Sequence, residues 1–573
     1  MKRLVLDIET NLAHNRIWLC VTKDIDTGEV LVWKEANSLL EYLKDTSLIV
    51  MHNGIGFDAY VLNRLWKTQI SRRQVYDTLV VSRLLEPSRE GGHSLAAWGK
   101  TLGSHKLDYR QEWLQIRGRS NADTPEGMEF DDPDMALMER YCIVDVEVTA
   151  KLYQYLRQAL KMDGFSEESV TLEHRVAAIV SEQTRNGFKL DVPHATMLLA
   201  DIKGKLADIY EAMQRRWPPQ ILERVSEKTG KRLKDGVLTF NPGSRQQIGD
   251  KLKELGWKPK KFTPTGQPIV DEAVLAEVDI PEAKIIADYL LYQKRIAQIT
   301  SWIEALGDDG RVHGKVITNG AVTGRMTHHS PNMAQIPNAG SVYGPECRQC
   351  WTVDEGNVLV GCDASGLELR MLAHYMEDEE YAKAVVHGSS KDGSDVHTKN
   401  QRAAGLQTRD QAKTFIYAFL YGAGPEKIGS IVGGGATEGR TLINKFLQDT
   451  PALQTLRDKV ALDASKGMVQ GLDGRKIRVR HQHAALNSLL QGAGAVVMKK
   501  ALVMLSDRLA MAKIPHKFVA NVHDEFQIEC PEAFGDKVGK TAVDCIRKAG
   551  SILNLNCPLD GEYKIGKNWR ETH

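Results

Sequence analysis

With 573 residues, 42% of them apolar and 26% charged, the chain is long enough for several domains, each with its own core, and has an ordinary globular composition. A net charge of only +1 excludes a uniformly basic nucleic-acid binder, so any such surface must come from local clusters of Lys and Arg. No run approaches the roughly 20 apolar residues of a membrane span. The chain enters a strand pattern at once in Met1-Lys-Arg-Leu-Val-Leu-Asp-Ile-Glu9, so no signal peptide is expected. The eight cysteines are scattered, and Cys20, Cys142 and Cys362 lie in apolar segments, as buried free thiols of a reducing compartment do. Cys347-Arg-Gln-Cys350 has no second pair nearby and is not expected to bind zinc.

Residues 1–160 read as α/β. Strand patterns at Arg3–Ile8, Ile17–Thr22 and Leu48–Met51 are followed by helical patterns around Ala59–Trp66 and Met138–Ala159. Residues 170–310 are helix-rich, with apolar spacing in Glu173–Glu182, Ala195–Arg215 and Glu282–Ile303. The last two are joined by a Lys-rich connection punctuated by Pro and Gly. Beyond it, strands near Val358–Cys362 and Val519–Ile528 alternate with long helices. Gly433-Gly-Gly435 lacks the Gly-Lys-Ser/Thr of a phosphate loop and reads as a plain turn.

In Leu4-Val-Leu-Asp7-Ile-Glu9 the period-two geometry of a strand projects Asp7 and Glu9 from one face, about 7 Å apart. Carboxylates so placed repel each other unless a cation lies between or beside them. Asp58 follows in His52-Asn-Gly-Ile-Gly-Phe-Asp58, a Gly-bearing loop that enters a helix, and Tyr141 and Asp145, four apart, share a helix face. Four acids and a tyrosine could hold two metals and position a water for in-line attack on a phosphodiester. In order and spacing, Asp7, Glu9, Asp58, Tyr141 and Asp145 resemble the three motifs of the DnaQ-like 3′–5′ exonucleases. The resemblance covers residues 1–160. It implies an RNase H-like α/β exonuclease domain in which these five residues are catalytic and the four acids hold metal.

Val358-Leu-Val-Gly-Cys362 reads as a strand ending in Asp363, with a helix starting near Leu367, so the carboxylate is exposed at a strand end beside free backbone groups. A second strand, Ala520-Asn-Val-His-Asp-Glu-Phe526, carries His523, Asp524 and Glu525 at or near a turn. Between them lies Arg409-Asp-Gln-Ala-Lys413-Thr-Phe-Ile-Tyr417-Ala-Phe-Leu-Tyr421. Four residues turn a helix by about 400°, so Arg409, Lys413, Tyr417 and Tyr421 form one slowly winding stripe. Phe415, Ile416, Phe419 and Leu420 then point away, toward a core. Cations at the helix N-terminal end suit a triphosphate, and the tyrosines suit sugar and base. Two carboxylates placed for metals beside a cationic helix are the equipment of phosphoryl transfer.

Asp363-Ala-Ser-Gly-Leu-Glu368, Arg409–Tyr421 and Val522-His-Asp-Glu525 resemble motifs A, B and C of the family A DNA polymerases, in particular the replicases of short-tailed bacteriophages. Thr323-Gly-Arg325, Pro331-Asn-Met-Ala-Gln-Ile-Pro337, Asp395-Val-His397 and His483-Ala-Ala-Leu-Asn487 with Gln491 fit the same pattern, and the resemblance spans nearly the whole chain. It implies a right-hand polymerase domain, with an α+β palm and mainly helical thumb and fingers, after the exonuclease domain. The implied boundaries are exonuclease 1–160, thumb 170–310, palm 311–395 and 481–573, and fingers 396–480.

The same resemblance implies Mg2+, replaceable by Mn2+, with two ions per active site. Asp363, Asp524 and the backbone of Ala364 would hold the polymerase pair, with Glu525 and Lys413 in the catalytic set. His397, Arg409, Lys413, Tyr417 and Tyr421 would meet the incoming dNTP, and Glu368 with Tyr417 would close off the space that a ribose 2′-hydroxyl needs. Arg325, Gln335, Arg348, Asn487 and Gln491 would touch primer–template DNA, with His523 near the primer end. Lys258, Lys260 and Lys261, flanked by Trp257 and Phe262, form a basic, aromatic-bearing stretch that is a further candidate DNA contact.

Phage helicase–primase and single-strand-binding protein are implied partners, in the cytoplasm of a bacterial host. In the best-known phage relative a long thumb insertion recruits host thioredoxin; the stretch from Met213 to Phe240 is too short for that, so no thioredoxin clamp is expected. A stand-alone nuclease or a non-catalytic scaffold would not need Asp363, Asp524 and Lys413 together. Single-subunit RNA polymerases share patterns like A and C, but the N-terminal acidic set and Glu368 favour deoxynucleotides.

Overall fold

Strand Lys2–Thr10 occupies the middle of a five-stranded sheet, in the order Val30–Trp33, Ile17–Asp24, Lys2–Thr10, Thr46–Met51, Val75–Asp77. Its hairpin neighbours are antiparallel, and the two strands on its other side are parallel. A central strand covered on both faces needs an apolar run, and Leu4, Val5 and Leu6 are fully buried. Val5, Leu19 and Val21 pack on one face with Cys142 and Val146 of the helix Met135–Asp163; Leu4, Leu6 and Ile8 pack on the other with Val61 and Leu62 of the helix Asp58–Leu65. This computed structural model describes residues 1–223, 229–232, 235–479 and 481–573.

Helix Met135–Asp163 starts where the Asp134 side chain accepts from the Leu137 amide and stops at Gly164, whose φ of 73° suits a glycine. Ser166 then caps the helix Glu167–Asn186. This helix packs on Thr78–Leu85 of the N-terminal part and on Lys517–Val522 and Ala485–Met511 of the C-terminal part. The expected boundary at 170 therefore falls inside one continuous helix.

A buried ionic group fastens that helix. Glu173 Oε1 lies 2.7 Å from Arg475 Nη1 and 2.6 Å from Lys499 Nζ, while Arg475 Nη2 lies 2.7 Å from Asp473 Oδ2. All four side chains are no more than 2% exposed. Lys499 also donates to Asn319 Oδ1 at 3.3 Å. Burial pushes the Lys499 ammonium down to about 8 even with Glu173 beside it.

Two long helices, Val192–Arg216 and Pro281–Glu304, pack together over a small core of Met213, Trp217, Phe240, Ile248, Leu252 and Ile286. Residues 224–228 and 233–234 lie outside the described residues, so the Met213–Phe240 expectation falls partly there.

The second large sheet is antiparallel throughout, in the order Lys517–Val522, Glu525–Pro531, Asn357–Ala364, Gly561–Gly566. The strand pattern over Val519–Ile528, with its expected turn at or near His523, is a hairpin of Lys517–Val522 and Glu525–Pro531. His523 takes a φ of 57° at its tip. The segment Gln482–Met511 corrects a second expectation: it is long and apolar enough to cross a membrane, with mean hydropathy 1.3, yet 83% of that window is buried, as in a core helix. All eight cysteines are free and buried, Cys347 and Cys350 beside Trp351 in one core.

Candidate active sites

Near the end of strand Asn357–Ala364, Asp363 stands opposite Glu525 on one side and Glu562 on the other. The Ala364 amide donates to the Asp524 carbonyl at 3.0 Å, which holds the hairpin tip against this strand. Gly366, with φ of 56°, makes the left-handed turn into helix Leu367–Met376 and so brings Glu368 back over the strand end. Ligand atoms of Asp363, Glu525 and His573 lie within 4.8 Å of one another. His573 Nδ1 is 3.1 Å from Glu525 Oε2 and 3.9 Å from Asp363 Oδ2. Glu525 also accepts from Trp569 Nε1 at 2.5 Å and from the Gln527 amide.

Burial and the neighbouring Glu525 push Asp363 up to about 7, and burial also raises Asp524. Glu525 is lowered; burial opposes this, but the His573 bond and charge outweigh it. Carboxylates crowded enough to resist ionisation are the donor chemistry that a divalent cation relieves.

Helix Arg409–Leu420 has a complete capping box, Thr408 with Gln411. Its apolar side is as expected. Phe415 and Ile416 are fully buried, worth about 1.5–3 kcal/mol for each such side chain, and Phe419 stacks on Phe415 at 5.9 Å. On the other side, Lys413 is exposed and has no ion-pair partner among the described residues. Arg409 donates to Asp395 Oδ1 through Nε at 3.0 Å and Nη2 at 2.8 Å. Although burial works against it, the bonds from Arg409 and Thr398 hold Asp395 down to about 2. Asp395 also caps the helix carrying His397, whose ring lies 6.3 Å from that of Tyr417. Tyr417 stacks on Tyr421 at 6.4 Å, and it is Tyr421, not Tyr417, that bonds Glu368.

The expected DNA contacts divide. Arg325 Nη2 is 3.2 Å from Glu368 Oε1, and His523 is exposed at the hairpin tip. Gln335 is exposed, and Gln491 donates to Asn487 Oδ1 at 2.9 Å. Arg348 differs from an exposed contact: it is 6% exposed, its Nε donates to the Pro337 carbonyl at 2.9 Å, and its Nη1 is 3.9 Å from Glu525 Oε2. In this structure it faces the carboxylates. Lys258, Lys260 and Lys261 are exposed and unpaired among the described residues, next to Phe262 at 53% exposure.

The five N-terminal residues come together. Ligand atoms of Asp7, Glu9 and Cys142 lie within 4.8 Å of one another, with Cys142 Sγ 3.4 Å from Asp7 Oδ2. Asp58, at the start of its helix, accepts from the Ile8 amide at 3.2 Å, and Tyr141 and Asp145 face the sheet from helix Met135–Asp163. Burial, then like charge, pushes Asp7 up to about 7 and both Glu9 and Asp58 well above the carboxylate range. Asp145 Oδ1 is buried with no hydrogen-bond partner. Such a donor set fits a divalent cation.

Sequence reasoning missed Cys142, Lys106 and His573. Lys106 and His573 carry no periodic signal, and only the fold brings them to the carboxylates. Lys106 Nζ lies 2.5 Å from Asp145 Oδ2.

The sequence profile of DNA polymerase family A matches residues 213–571. The DNA-directed DNA polymerases of Enterobacteria phage T3 and of Escherichia phage T7 are each 34% identical to this chain, over 100% of both sequences. The POL domain of Pol1 from M. smegmatis, in complex with DNA primer-template and dNTP, superposes with a TM-score of 0.77 at 18% identity, covering 100% of this chain and 96% of that one, which shows the shared fold. The chain belongs to DNA polymerase family A. Members of this family use divalent metal ions, and the carboxylate groups above are where this chain can hold them.

Proposed function

We propose that this DNA-directed DNA polymerase extends a primer on a DNA template from dNTPs and proofreads the product in a separate 3′–5′ exonuclease site, in the service of bacteriophage genome replication. The observation that carries the reading is the presence, in one family A chain, of two separate groups of acids, each with an aspartate pushed up to about 7. In the proposed assignment the exonuclease spans 1–160, the thumb 170–310, the palm 311–395 and 481–573, and the fingers 396–480.

Asp363, Asp524 and the backbone of Ala364 would hold Mg2+ at the polymerase site, and Asp7, Glu9, Asp58 and Asp145 at the exonuclease site, two ions in each and Mn2+ able to substitute. When bound, the ions supply Lewis-acid stabilisation of the phosphate oxygens and lower the pKa of the attacking hydroxyl or water. Lys413, free of any partner among the described residues, would bind the triphosphate, joined by Arg409 and His397. Tyr417 and Tyr421 would face base and sugar. Arg325, Gln335, Asn487, Gln491 and His523 would meet the minor-groove side of the primer–template. Tyr141 would orient the water that attacks the terminal phosphodiester. The site of action would be the host cytoplasm, beside a helicase–primase and a single-strand-binding protein.

One labelled primer–template, incubated with magnesium and dNTPs and then without dNTPs, tests both halves. Asp363→Ala should abolish extension and spare 3′ trimming, and Asp7→Ala with Glu9→Ala should do the reverse. Loss of both activities in either protein would contradict separate sites.

A further inference from the structure

We propose that Lys106 is a positioning residue of the N-terminal site, fixing Asp145 and Tyr141 in the orientation in which they meet the end of a DNA strand; this rests on the exonuclease reading above. Lys106 lies in the loop between helices Leu95–Thr101 and Tyr109–Arg117. Its Nζ is 2.5 Å from Asp145 Oδ2 and 4.4 Å from the centre of the Tyr141 ring. The lysine side chain is 23% exposed and its partner 5%. Among the described residues this is the one ion pair made by any of the four acids of the site.

A surface lysine gains little from such a pair and loses side-chain freedom. This one is drawn into an acidic pocket and held there. The pairing also divides the oxygens of Asp145. Oδ2 is fixed by the ammonium, and Oδ1 is buried without a partner, left for whatever enters the site.

The same ammonium lies over the face of the Tyr141 ring, so one cation holds both the carboxylate and the aromatic plane. With its ring held under the ammonium, Tyr141 keeps its phenol hydrogen free to donate to a water or a phosphate oxygen. A neutral side chain at 106 would release both: the phenol to rotate, and Asp145 to turn within a pocket it shares with three other acids. A merely structural ion pair would show itself in stability. A positioning residue shows itself in turnover, with the fold and strand binding intact.

The test uses the full chain and a single-stranded oligonucleotide without dNTPs. Lys106→Ala should lower kcat for 3′–5′ degradation by about ten- to a hundredfold, with KM changed by less than about threefold. Primer extension with dNTPs, and binding of a fluorescent single strand in EDTA, should match the unaltered protein. Lys106→Arg keeps a cation and donors and should recover most of the rate. Combined with Tyr141→Phe, the loss should be smaller than the product of the two single losses, because both act at one phenol. A Lys106→Ala protein that degrades at the full rate, an arginine variant no better than alanine, or a fully multiplicative double variant would overturn the proposal. Should Lys106→Ala also lose extension, it is misfolded, and Lys106→Gln carries the same test. Asp7→Ala separates the two levels: if it too degrades at the full rate, the exonuclease reading fails, whereas an inactive Asp7→Ala beside a fully active Lys106→Ala removes only the role of Lys106.

Discussion

The Tyr421 phenol donates to Glu368 Oε1 at 2.7 Å, joining the end of the cationic helix to the first turn of the helix that follows Asp363. Arg325 approaches the same oxygen at 3.2 Å, so Glu368 is held from two sides. A fixed carboxylate at the proposed sugar position excludes a 2′-hydroxyl by shape, and such exclusion is strong when the site does not relax. Glu368→Ala should raise the kcat/KM of ribonucleotides relative to deoxynucleotides by at least about tenfold. Tyr421→Phe, which removes one of the two restraints, should raise it by less. An unchanged ratio in Glu368→Ala would take the residue out of sugar selection.

Tyr417 lies half-buried between His397 and Tyr421, two residues of the proposed nucleotide site. A dideoxynucleotide leaves the place of the 3′-hydroxyl empty, and the phenol can satisfy polar partners there. Phenylalanine would leave a buried polar group unpaired at about 1–3 kcal/mol. Because 1.4 kcal/mol is a factor of about ten, Tyr417→Phe should increase discrimination against dideoxynucleotides roughly tenfold or more while normal dNTP use barely changes. The ratio of kcat/KM for dNTP and ddNTP, measured in an Asp7→Ala background, decides this. Strong rejection of dideoxynucleotides by the unaltered protein would remove Tyr417 from the sugar.

Lys258, Lys260 and Lys261, unpaired among the described residues, contrast with Lys251 and Lys253 nearby, which pair with Glu254 and Asp250. If the exposed three reach phosphates, each should add about 0.7–0.9 to the slope of log affinity against log salt. A Lys258/Lys260/Lys261 triple alanine protein should therefore bind primer–template with a visibly shallower slope. Equal slopes would mean that these side chains face only solvent.

Asp7 and Asp363 are both raised to about 7, so the folded state binds their protons more tightly than the unfolded chain does. The stability this brings is full below the ordinary aspartate value of about 4 and is lost as pH rises through about 7. In EDTA the Tm should fall across that window. Asp7→Asn or Asp363→Asn should flatten the fall and give a higher Tm than the unaltered protein at pH 8. Added Mg2+ should stabilise the unaltered protein more at pH 8 than at pH 5.5, and each Asn protein less. A Tm in EDTA that is flat with pH, and the same in the Asn proteins, would contradict the crowding of these acids.

Much of this was legible in the sequence because it is local. Asp7 and Glu9 share a strand face by period two, Tyr141 and Asp145 a helix face by a spacing of four, and the helix over Arg409–Leu420 begins where its cap residues stand. What the sequence hid is what depends on distant segments meeting. Lys106 reaches Asp145 from a loop, His573 reaches Glu525 from the last strand's extension, and Arg348 turns inward because Glu525 lies beneath it. The turn at His523 and Asp524 was legible because aspartate favours turns, but its sequence does not say which strands the two arms of the hairpin join.

The Glu173 carboxylate has a practical consequence for dissecting this chain. Arg475 and Lys499 belong to the polymerase part, yet their common counter-charge sits on a helix that begins at residue 167. A fragment cut at Gly187, where the sequence turns from helix to strand, would seal two cations in the interior with Asp473 as their sole acid, at a cost of about 3–5 kcal/mol. A fragment cut at Ser166 would carry the helix, its cap and the carboxylate together. The natural seam for excision therefore lies ahead of the helix, and the piece that joins the N-terminal sheet to the rest of the chain is a beam of the latter.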